Sequence, residues 1–274
     1  NDVIKNHELE FTLRANSLYH DFSYEILQPY GRDPLNVYVG NRDLKQSWTG
    51  MATANYTYLN TLHSVNAGLN LSYSIVQNAL TMSYVYDRTT GKRTYRPENV
   101  NGNYLLSGSG FFSLPLDKQK RFTLSGNTAA TFNHNVDLIS LADETASGVS
   151  PRSSVRNLYV SQGLKLEYGI GKIKLGAKGN GTWTHITSRR TDFATINAGD
   201  FNYGVTFKAD LPLDISFSTD FTVFSRRGYT DDAMNTDDLV WNARLAKRFW
   251  GNRISVMLDG FDMLGQLSNI RRSD

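Results

Sequence analysis

The sequence of 274 residues is 40% hydrophobic and has no cysteine, which excludes disulfide frameworks, cysteine zinc sites and thiol nucleophiles. Its 29 basic and 26 acidic residues are interspersed, so the net charge of +3 does not indicate a basic surface. Nucleic acid is therefore not an expected partner. No stretch approaches the roughly 20 consecutive apolar residues of a membrane-spanning helix.

Alternation of apolar and polar residues runs along most of the chain and predicts about eleven antiparallel strands. It starts at Leu9, Phe11 and Leu13, directly after a polar N-terminus that does not resemble a signal peptide, so we expect the chain to begin inside a domain. The predicted strands span roughly residues 7–18, 47–59, 62–87, 100–113, 121–133, 155–168, 172–187, 199–211, 213–226, 237–249 and 252–264.

The predicted connections alternate between long and short. The long ones are 19–46, 88–99, 134–154, 188–198 and 227–236, and the short ones lie near 60–61, 114–120, 169–171, 212 and 250–251. Outer-membrane barrels have long extracellular loops and short periplasmic turns. All 6 prolines fall in these connections or at their edges, as expected for a residue that cannot donate to a strand ladder.

The segment 62–87 cannot be one regular strand, because its apolar positions change parity. They are odd-numbered from Val65 to Ile75 and even-numbered from Leu80 to Tyr86. Either a bulge or a hairpin near Gln77-Asn78 would produce this change. We predict a bulge, since a hairpin would place two short turns in succession and break the alternation of connections.

The hairpin 199–226 has the most regular pattern and defines two faces. More than ten residues of period two exceed the ~5–6 of a typical soluble strand and match the about 9–11 that cross a bilayer. One face carries Phe201, Tyr203, Val205, Phe207, Ala209, Leu211, Leu213, Ile215, Phe217, Phe221 and Val223. The other carries Asp200, Asn202, Thr206, Lys208, Asp210, Asp214, Ser216, Ser218, Asp220 and Thr222.

The charged residues of the strands identify the face that avoids lipid. Lys165, Lys174, Lys178, Lys208 and Arg244 all occupy polar positions. A lysine or arginine facing lipid at the midplane costs about 2–4 kcal/mol, so the polar positions are predicted to line the interior. Aromatic residues toward the strand ends predict interfacial girdles, and they are Trp48, Tyr56, Tyr58, Trp183, Trp241, Phe249 and Trp250.

The short turn near 169–171 allows one register to be predicted. If Tyr168 pairs with Ile173, then Glu167 lies opposite Lys174 on the polar face. Opposite charges paired across strands stabilise a sheet by about 0.2–1 kcal/mol, which supports this register.

These patterns predict an all-β fold, namely an antiparallel transmembrane β-barrel in a bacterial outer membrane, with membrane lipid as its first partner. Eleven is an odd number of strands, whereas single-chain bacterial barrels have an even number. The segment after Leu264 contains no returning strand that would make the number even. An unclosed sheet in lipid leaves edge groups unsatisfied at several kcal/mol each. We therefore expect residues 1–274 to be part of a larger barrel.

No arrangement of residues suited to catalysis is evident. The histidines are scattered, and no zinc-protease helix motif, nucleophile elbow or phosphate loop is present. The chain is therefore not expected to be an enzyme, and no catalytic residue, metal ligand or cofactor is predicted.

Loop 19–46 is the first candidate for ligand binding. Its aromatic residues, among them Tyr24 and Tyr30, suit stacking on sugars or docking a lid protein. The alternative is that these rings pack the loop over the barrel rim.

Loop 226–238 is the second candidate. It brings Arg226 and Arg227 close in sequence to four acids, which suits clamping a polar ligand or binding calcium through carboxylates. The four acids are Asp231, Asp232, Asp237 and Asp238. The alternative is that the arginines neutralise the acids. Because the spacing matches no calcium loop, we do not predict a metal site.

Several short motifs resemble those of one protein family. They are Asp33-Pro34-Leu35-Asn36, Gly40-Asn41-Arg42-Asp43-Leu44, Asn99-Val100-Asn101-Gly102-Asn103, Ser225-Arg226-Arg227-Gly228-Tyr229, Met234-Asn235-Thr236, Phe261-Asp262-Met263-Leu264-Gly265-Gln266 and Ser268-Asn269-Ile270-Arg271. In order and spacing they are similar to the C-terminal barrel of the TonB-dependent-receptor-like outer-membrane proteins of the Bacteroides group.

This resemblance implies a 22-stranded plugged barrel, of which residues 1–274 would be the C-terminal portion, with the plug and N-terminal domains outside this chain. It implies uptake of a bulky nutrient, powered by TonB through the plug. A surface lipoprotein lid and other envelope proteins are the further partners it suggests. The alternative function is a non-transporting barrel that serves as a subunit or scaffold of a multiprotein outer-membrane complex.

We predict that Phe207→Arg abolishes membrane assembly, because it places a charge against lipid, whereas Lys208→Gln on the opposite face is tolerated. Heat-modifiable migration of outer-membrane fractions on a denaturing gel measures assembly. Equal effects of the two substitutions would contradict the assignment of faces.

Overall fold

A computed structural model describes residues 6–87, 89–138, 152–190, 193–251 and 253–266. These residues form strands and two short 3-10 helices, Phe22–Glu25 and Asp232–Met234. None of the helices in these ranges is long and apolar enough to cross a membrane. Residues 139–151 of the predicted loop and the motif residues 268–271 lie outside the described residues.

Fifteen strands follow one another along the described chain. They are β1 (His7–Leu18), β2 (Tyr30–Asp33), β3 (Asn36–Tyr38), β4 (Ser47–Asn60), β5 (Val65–Gln77), β6 (Ala79–Tyr86), β7 (Arg93–Val100), β8 (Asn103–Pro115), β9 (Phe122–Leu138), β10 (Arg152–Ile170), β11 (Ile173–Ser188), β12 (Ile196–Leu211), β13 (Ile215–Arg227), β14 (Asp237–Phe249) and β15 (Ile254–Gly260).

Eleven of these strands form one antiparallel sheet, here called the main sheet. Its order is β1-β4-β5-β8-β9-β10-β11-β12-β13-β14-β15, so neighbours in the sheet are neighbours along the chain apart from two insertions. Each main-sheet strand lies within or overlaps one predicted strand, which confirms the predicted eleven. The short turns gather at one end of the sheet, the turn end, and the longer connections at the other, the loop end. Within the described ranges the sheet does not close into a barrel.

The two insertions form a separate four-stranded sheet at the loop end, here called the accessory sheet. Its order is β2-β3-β7-β6. The prediction that 19–46 and 88–99 are irregular loops is therefore wrong. Strand β7 was not predicted because it contains Pro97, which argues against a strand. The proline is tolerated because the neighbouring strand β3 pairs only with residues up to Tyr95.

The junction of the two sheets at Asn78 explains the parity change. Strand β5 pairs with β8 and strand β6 with β7, so the chain does not reverse, as predicted. The predicted bulge is wrong, because Val76 pairs with Asn103 and Ala79 with Val100 without an inserted residue. Asn78 instead has a φ of 51°, and this left-handed residue lets the apolar positions change parity.

Asparagine side chains hold the junction together. The Asn99 amide donates to the carbonyls of Lys45 and Asn78 at 3.1 and 2.8 Å. In return the Asn99 side-chain oxygen accepts from the Lys45 backbone N–H at 2.6 Å. The Asn101 side chain accepts from the Asn78 backbone N–H at 2.7 Å, and Asn41 donates to the Pro97 carbonyl at 2.9 Å.

The β10–β11 hairpin corrects the predicted register. Tyr168 pairs with Leu175, and Glu167 lies opposite Gly176 instead of Lys174. The turn contains only Gly171 and Lys172, since Gly171 adopts a φ of 56° that a two-residue turn demands.

The β12–β13 turn is longer than predicted. Leu213 and Asp214, which were assigned to the second strand, have φ values of 66° and 57° and belong to the turn. The strand partners Leu211 and Ile215 flank it, so the assignment of the remaining residues to two faces is unaffected.

The main sheet has no conventional hydrophobic core. Among the described residues, the buried hydrophobic side chains are Val100, Leu138, Ala198, Ala209 and Val240. The chain exposes 18906 Å², whereas a globular monomer of 30.8 kDa exposes about 12,000 Å². A single uncovered sheet accounts for such an excess, because neither face of the main sheet is covered by a second layer along its length.

We predict that Gly204→Ala weakens the β12–β13 pairing, because an added Cβ would lie 2.1 Å from the backbone oxygen of Phe221. Overpacking of this kind costs about 1–3 kcal/mol. Gly179→Ala on the adjacent strand is the matched control, since its nearest neighbour would be 4.0 Å away. Urea unfolding monitored by tryptophan fluorescence compares the two, and equal midpoints would contradict the prediction.

Candidate functional site

The strand registers place the five predicted cations of the main sheet on one face, here called the polar face. Lys165 pairs with Lys178, and Lys174 pairs with Lys208. Ser218 pairs with both Lys208 and Arg244, so all five cations share this face, as predicted. The opposite face, here called the apolar face, carries the aromatic and aliphatic positions of the same strands.

Acidic residues relieve the repulsion between these paired lysines. Glu167 lies 2.8 Å from Lys165 and 3.7 Å from Lys174, so the predicted pairing with Lys174 exists as a diagonal contact. Lys178 reaches Asp220 at 3.8 Å, two strands away. Gly204 lies between them and has no side chain to block this contact.

Between the charges the polar face is lined by small polar side chains. Asn127, Gly163, Asn180 and Asn202 lie on one row across four strands. The side-chain oxygens of Asn127 and Asn180 lie over Gly163, where a Cβ would be only 2.4 and 2.7 Å from them. Asn180 donates to Asn202 at 3.1 Å. This face is therefore suited to contact with water or with a polar surface.

Four tyrosines form a ladder across the accessory sheet. Tyr30 stacks on Tyr38 with ring centroids 5.7 Å apart, Tyr38 stacks on Tyr95 at 5.0 Å, and Tyr95 contacts Tyr84 at 5.6 Å. Each contact joins residues that are directly paired in neighbouring strands. Of the two tyrosines predicted for ligand binding, Tyr30 belongs to this ladder.

The rings of Tyr38 and Tyr95, in the middle of the ladder, each contact two other tyrosine rings. Their faces are therefore occupied by packing, which favours the packing role over stacking on a sugar. Tyr30 lies on an edge strand and is 40% exposed, so its ring has a free side for a ligand. Tyr24 is outside the ladder, in the 3-10 helix, where its carbonyl accepts from the Asn41 N–H at 2.7 Å. The sequence pattern missed Tyr95 and Tyr84, because their contacts depend on the unpredicted strand β7.

Each arginine of the second candidate loop lies near a carboxylate. Arg226 lies 3.9 Å from Asp200, and Arg227 lies 2.5 Å from Asp237. Asp237, an acid of the predicted loop, is the first residue of β14, and its contact with Arg227 fits the alternative that the arginines neutralise the acids. Asp200 lies in β12 and was not evident from the loop sequence.

The two acids predicted for this loop have a structural place in it. Asp231 caps the 3-10 helix by accepting from the Ala233 N–H at 3.0 Å, and Asp232 is the first residue of that helix. Both acids therefore belong to this short helix, and ligand binding by the loop stays a prediction.

Tyr229 completes the arginine and carboxylate cluster. Its hydroxyl donates to Asp200 at 2.8 Å, and its backbone is held by Asn235 through bonds of 3.0 Å in both directions. Burial raises the pKa of Tyr229 above its usual value, and the bond to Asp200 raises it further. The cluster orders the connection between β13 and β14.

Within the described ranges no group of three or more histidine, aspartate and glutamate side chains is arranged to hold a metal ion. Comparison with protein families, curated proteins and solved structures gives no significant match. The resemblance to TonB-dependent-receptor-like barrels therefore stays a prediction.

We predict that Tyr38→Ala loosens the accessory sheet, because it removes two ring contacts worth about 0.5–1.5 kcal/mol each. Hydrogen exchange of the backbone amides in residues 93–100 measures the loosening. Tyr24→Ala serves as the control outside the ladder. Unchanged exchange in Tyr38→Ala, or the same increase in both variants, would show that the ladder does not stabilise this sheet.

Proposed function

We propose that this chain is a wall segment of an outer-membrane β-barrel and that the barrel is a transporter of the TonB-dependent type for a bulky nutrient. The observation that carries the proposal is the contrast between the two faces of the main sheet. Leu13 is 83% exposed and Phe11 71% exposed on the apolar face, while lysines, asparagines and small residues fill the polar face.

Lipid is the covering that best fits the apolar face. Soluble monomers rarely expose a contiguous apolar patch larger than a few hundred Å², and this patch runs across the main sheet from Leu9 on β1 to Leu258 on β15. Strand β10 has 19 residues and β11 and β12 have 16 each, more than the about 9–11 that a tilted strand needs to cross a bilayer.

The free edges of the main sheet also bear on the proposal. Strands β1 and β15 each have one neighbour within the described residues. Lipid cannot satisfy their remaining N–H and C=O groups, so further strands must pair with both edges in a membrane. A barrel of about 22 strands, as the resemblance implies, would meet this requirement.

The proposed transport function is supported by the polar face and by the loop end. A face of asparagine, serine, threonine and paired charges tolerates a hydrated lumen or a polar plug domain. At the loop end, Tyr19 is 77% and Phe22 76% exposed, which suits contact with a surface lipoprotein lid. On this proposal TonB acts through a plug outside this chain.

A scaffold without transport is the second candidate. It is favoured by the ion pairs on the polar face, since Glu167 and Asp220 satisfy their lysines without any ligand. Such a barrel would retain the fold and present its loop end to other envelope proteins.

The decisive experiment compares a strain lacking the complete native gene with a complemented strain, on a panel of oligosaccharides, peptides and iron chelates as required nutrients. The proposal predicts loss of growth on at least one bulky nutrient. It further predicts that labelled nutrient enters complemented cells and that a protonophore stops this entry. Unchanged uptake, together with collapse of a co-purifying envelope complex, would instead establish the scaffold.

A further inference from the structure

A basic pocket lies on the apolar side of the main sheet at its loop end. It is a cavity of about 280 Å³ whose lining includes Arg152, Arg156, Arg189 and His134. Strands β9 and β10 and the residue that follows β11 contribute these side chains. The sequence pattern did not identify it, because the arginines lie in the predicted connections or beside them.

The strand registers fix the side of the sheet on which this pocket opens. Arg156 pairs with His134, and His134 pairs with Tyr104. Two residues further toward the turn end, Leu158 pairs with Phe132 on the same face. The pocket therefore belongs to the apolar face, and its Arg156 lies about 7 Å beyond the row of Leu158 and Phe132, the rise of two strand residues.

An aromatic row marks the level of the membrane surface directly beside the pocket. The His134 ring stacks on Tyr104 with centroids 5.1 Å apart, and Tyr104 contacts Phe132 at 5.9 Å. Trp183, two strands from Phe132, lies on the same face. Aromatic girdles of this kind sit at the boundary between hydrocarbon and headgroups, which places the arginines among the headgroups.

The pocket offers donors and positive charge without a counter-charge among the described residues that line it. Its lining contains no aspartate or glutamate, and none of the three guanidinium groups makes an ion pair with a described residue. By contrast, Arg226, Arg227 and Arg244 each lie within ion-pair distance of a carboxylate. The basic pocket is thus the place on the described chain where arginines gather unneutralised.

Two further polar groups fit the same ligand. Ser154 lines the cavity, is 8% exposed, and has the same strand parity as Arg152 and Arg156, so its hydroxyl lies on their side of the sheet. The Nδ1 atom of His134 donates to the Gly102 carbonyl at 2.6 Å, which fixes the ring orientation. Arginine forks and hydroxyl donors are the groups that recognise a phosphate.

We propose that this pocket binds the phosphate group of a phosphorylated lipid in the outer leaflet of the membrane. The inference rests on the proposed membrane location of the apolar face. A lipid source is favoured over free phosphate because the pocket adjoins the lipid-facing aromatic row and faces away from the polar face. The bound headgroup would hold this part of the loop end at a defined depth in the bilayer.

The test uses the complete native protein in detergent micelles and native mass spectrometry to count bound lipids. The probes are monophosphorylated lipid A, the same lipid after removal of its phosphate, and inorganic phosphate. The test variant replaces Arg152, Arg156 and Arg189 by Gln. The control variant replaces Lys118, Lys172 and Arg253 by Gln, since these exposed residues at the turn end remove the same charge.

We expect one retained lipid A molecule in the native protein and the control. We expect affinity for it to fall roughly 100-fold in the test variant, about fivefold for each arginine. Binding should be lost when the lipid lacks its phosphate. Equal binding in the test and control variants would overturn the proposal. Inorganic phosphate that binds to the pocket while lipid A does not would overturn the lipid source.

Heat-modifiable migration and reconstitution into phosphatidylcholine vesicles separate this inference from the proposed function. Variants that insert into vesicles but show no selectivity for the phosphorylated lipid would contradict the basic pocket alone. A protein that fails to insert would contradict the membrane location itself. We expect all three proteins to insert, with a difference only in lipid retention.

Discussion

The fold depends on the covering of one apolar face, which the described residues themselves leave open. Backbone hydrogen bonds run from β1 to β15 and give the main sheet its continuity, but they do not remove side chains such as Leu13 and Phe11 from water. Burial of apolar area is the largest favourable contribution to folding, at roughly 25 cal/mol per Å². In this sheet most of that contribution must come from whatever covers the apolar face. The stability of the fold therefore depends on its surroundings.

The same constraint explains where the chain places its polar chemistry. The predicted cations of the strands lie on the polar face, where Glu167 and Asp220 offset the paired lysines, and further charges lie at the two ends of the sheet. The motif residues behind the family resemblance also have structural uses. Asn99 and Asn101 hold the junction of the two sheets, and Arg227 anchors its loop to Asp237. Such motifs report a fold and carry little information about a substrate.

Much of the main sheet was predictable, because apolar and polar side chains alternate along a strand whose two faces have different surroundings. The predictions failed where single backbone angles decide, as at Asn78 and Gly171, whose left-handed φ values change parity and turn length. They failed again where contacts are distant in sequence. The tyrosine ladder requires the parallel pairing of β3 with β7, and Arg226 finds its partner Asp200 on another strand. Local patterns do not contain these pairings.

The most direct test of the central claim measures what surrounds the main sheet. Because these 274 residues contain no cysteine, single cysteines at positions 201 to 208 can carry a nitroxide label in the reconstituted native protein, once any cysteines elsewhere in it are replaced. The account predicts that oxygen dissolved in lipid relaxes labels at 201, 203, 205 and 207, while a water-soluble nickel chelate relaxes those at 202, 206 and 208. Equal access to both reagents at all positions, or the opposite alternation, would contradict it.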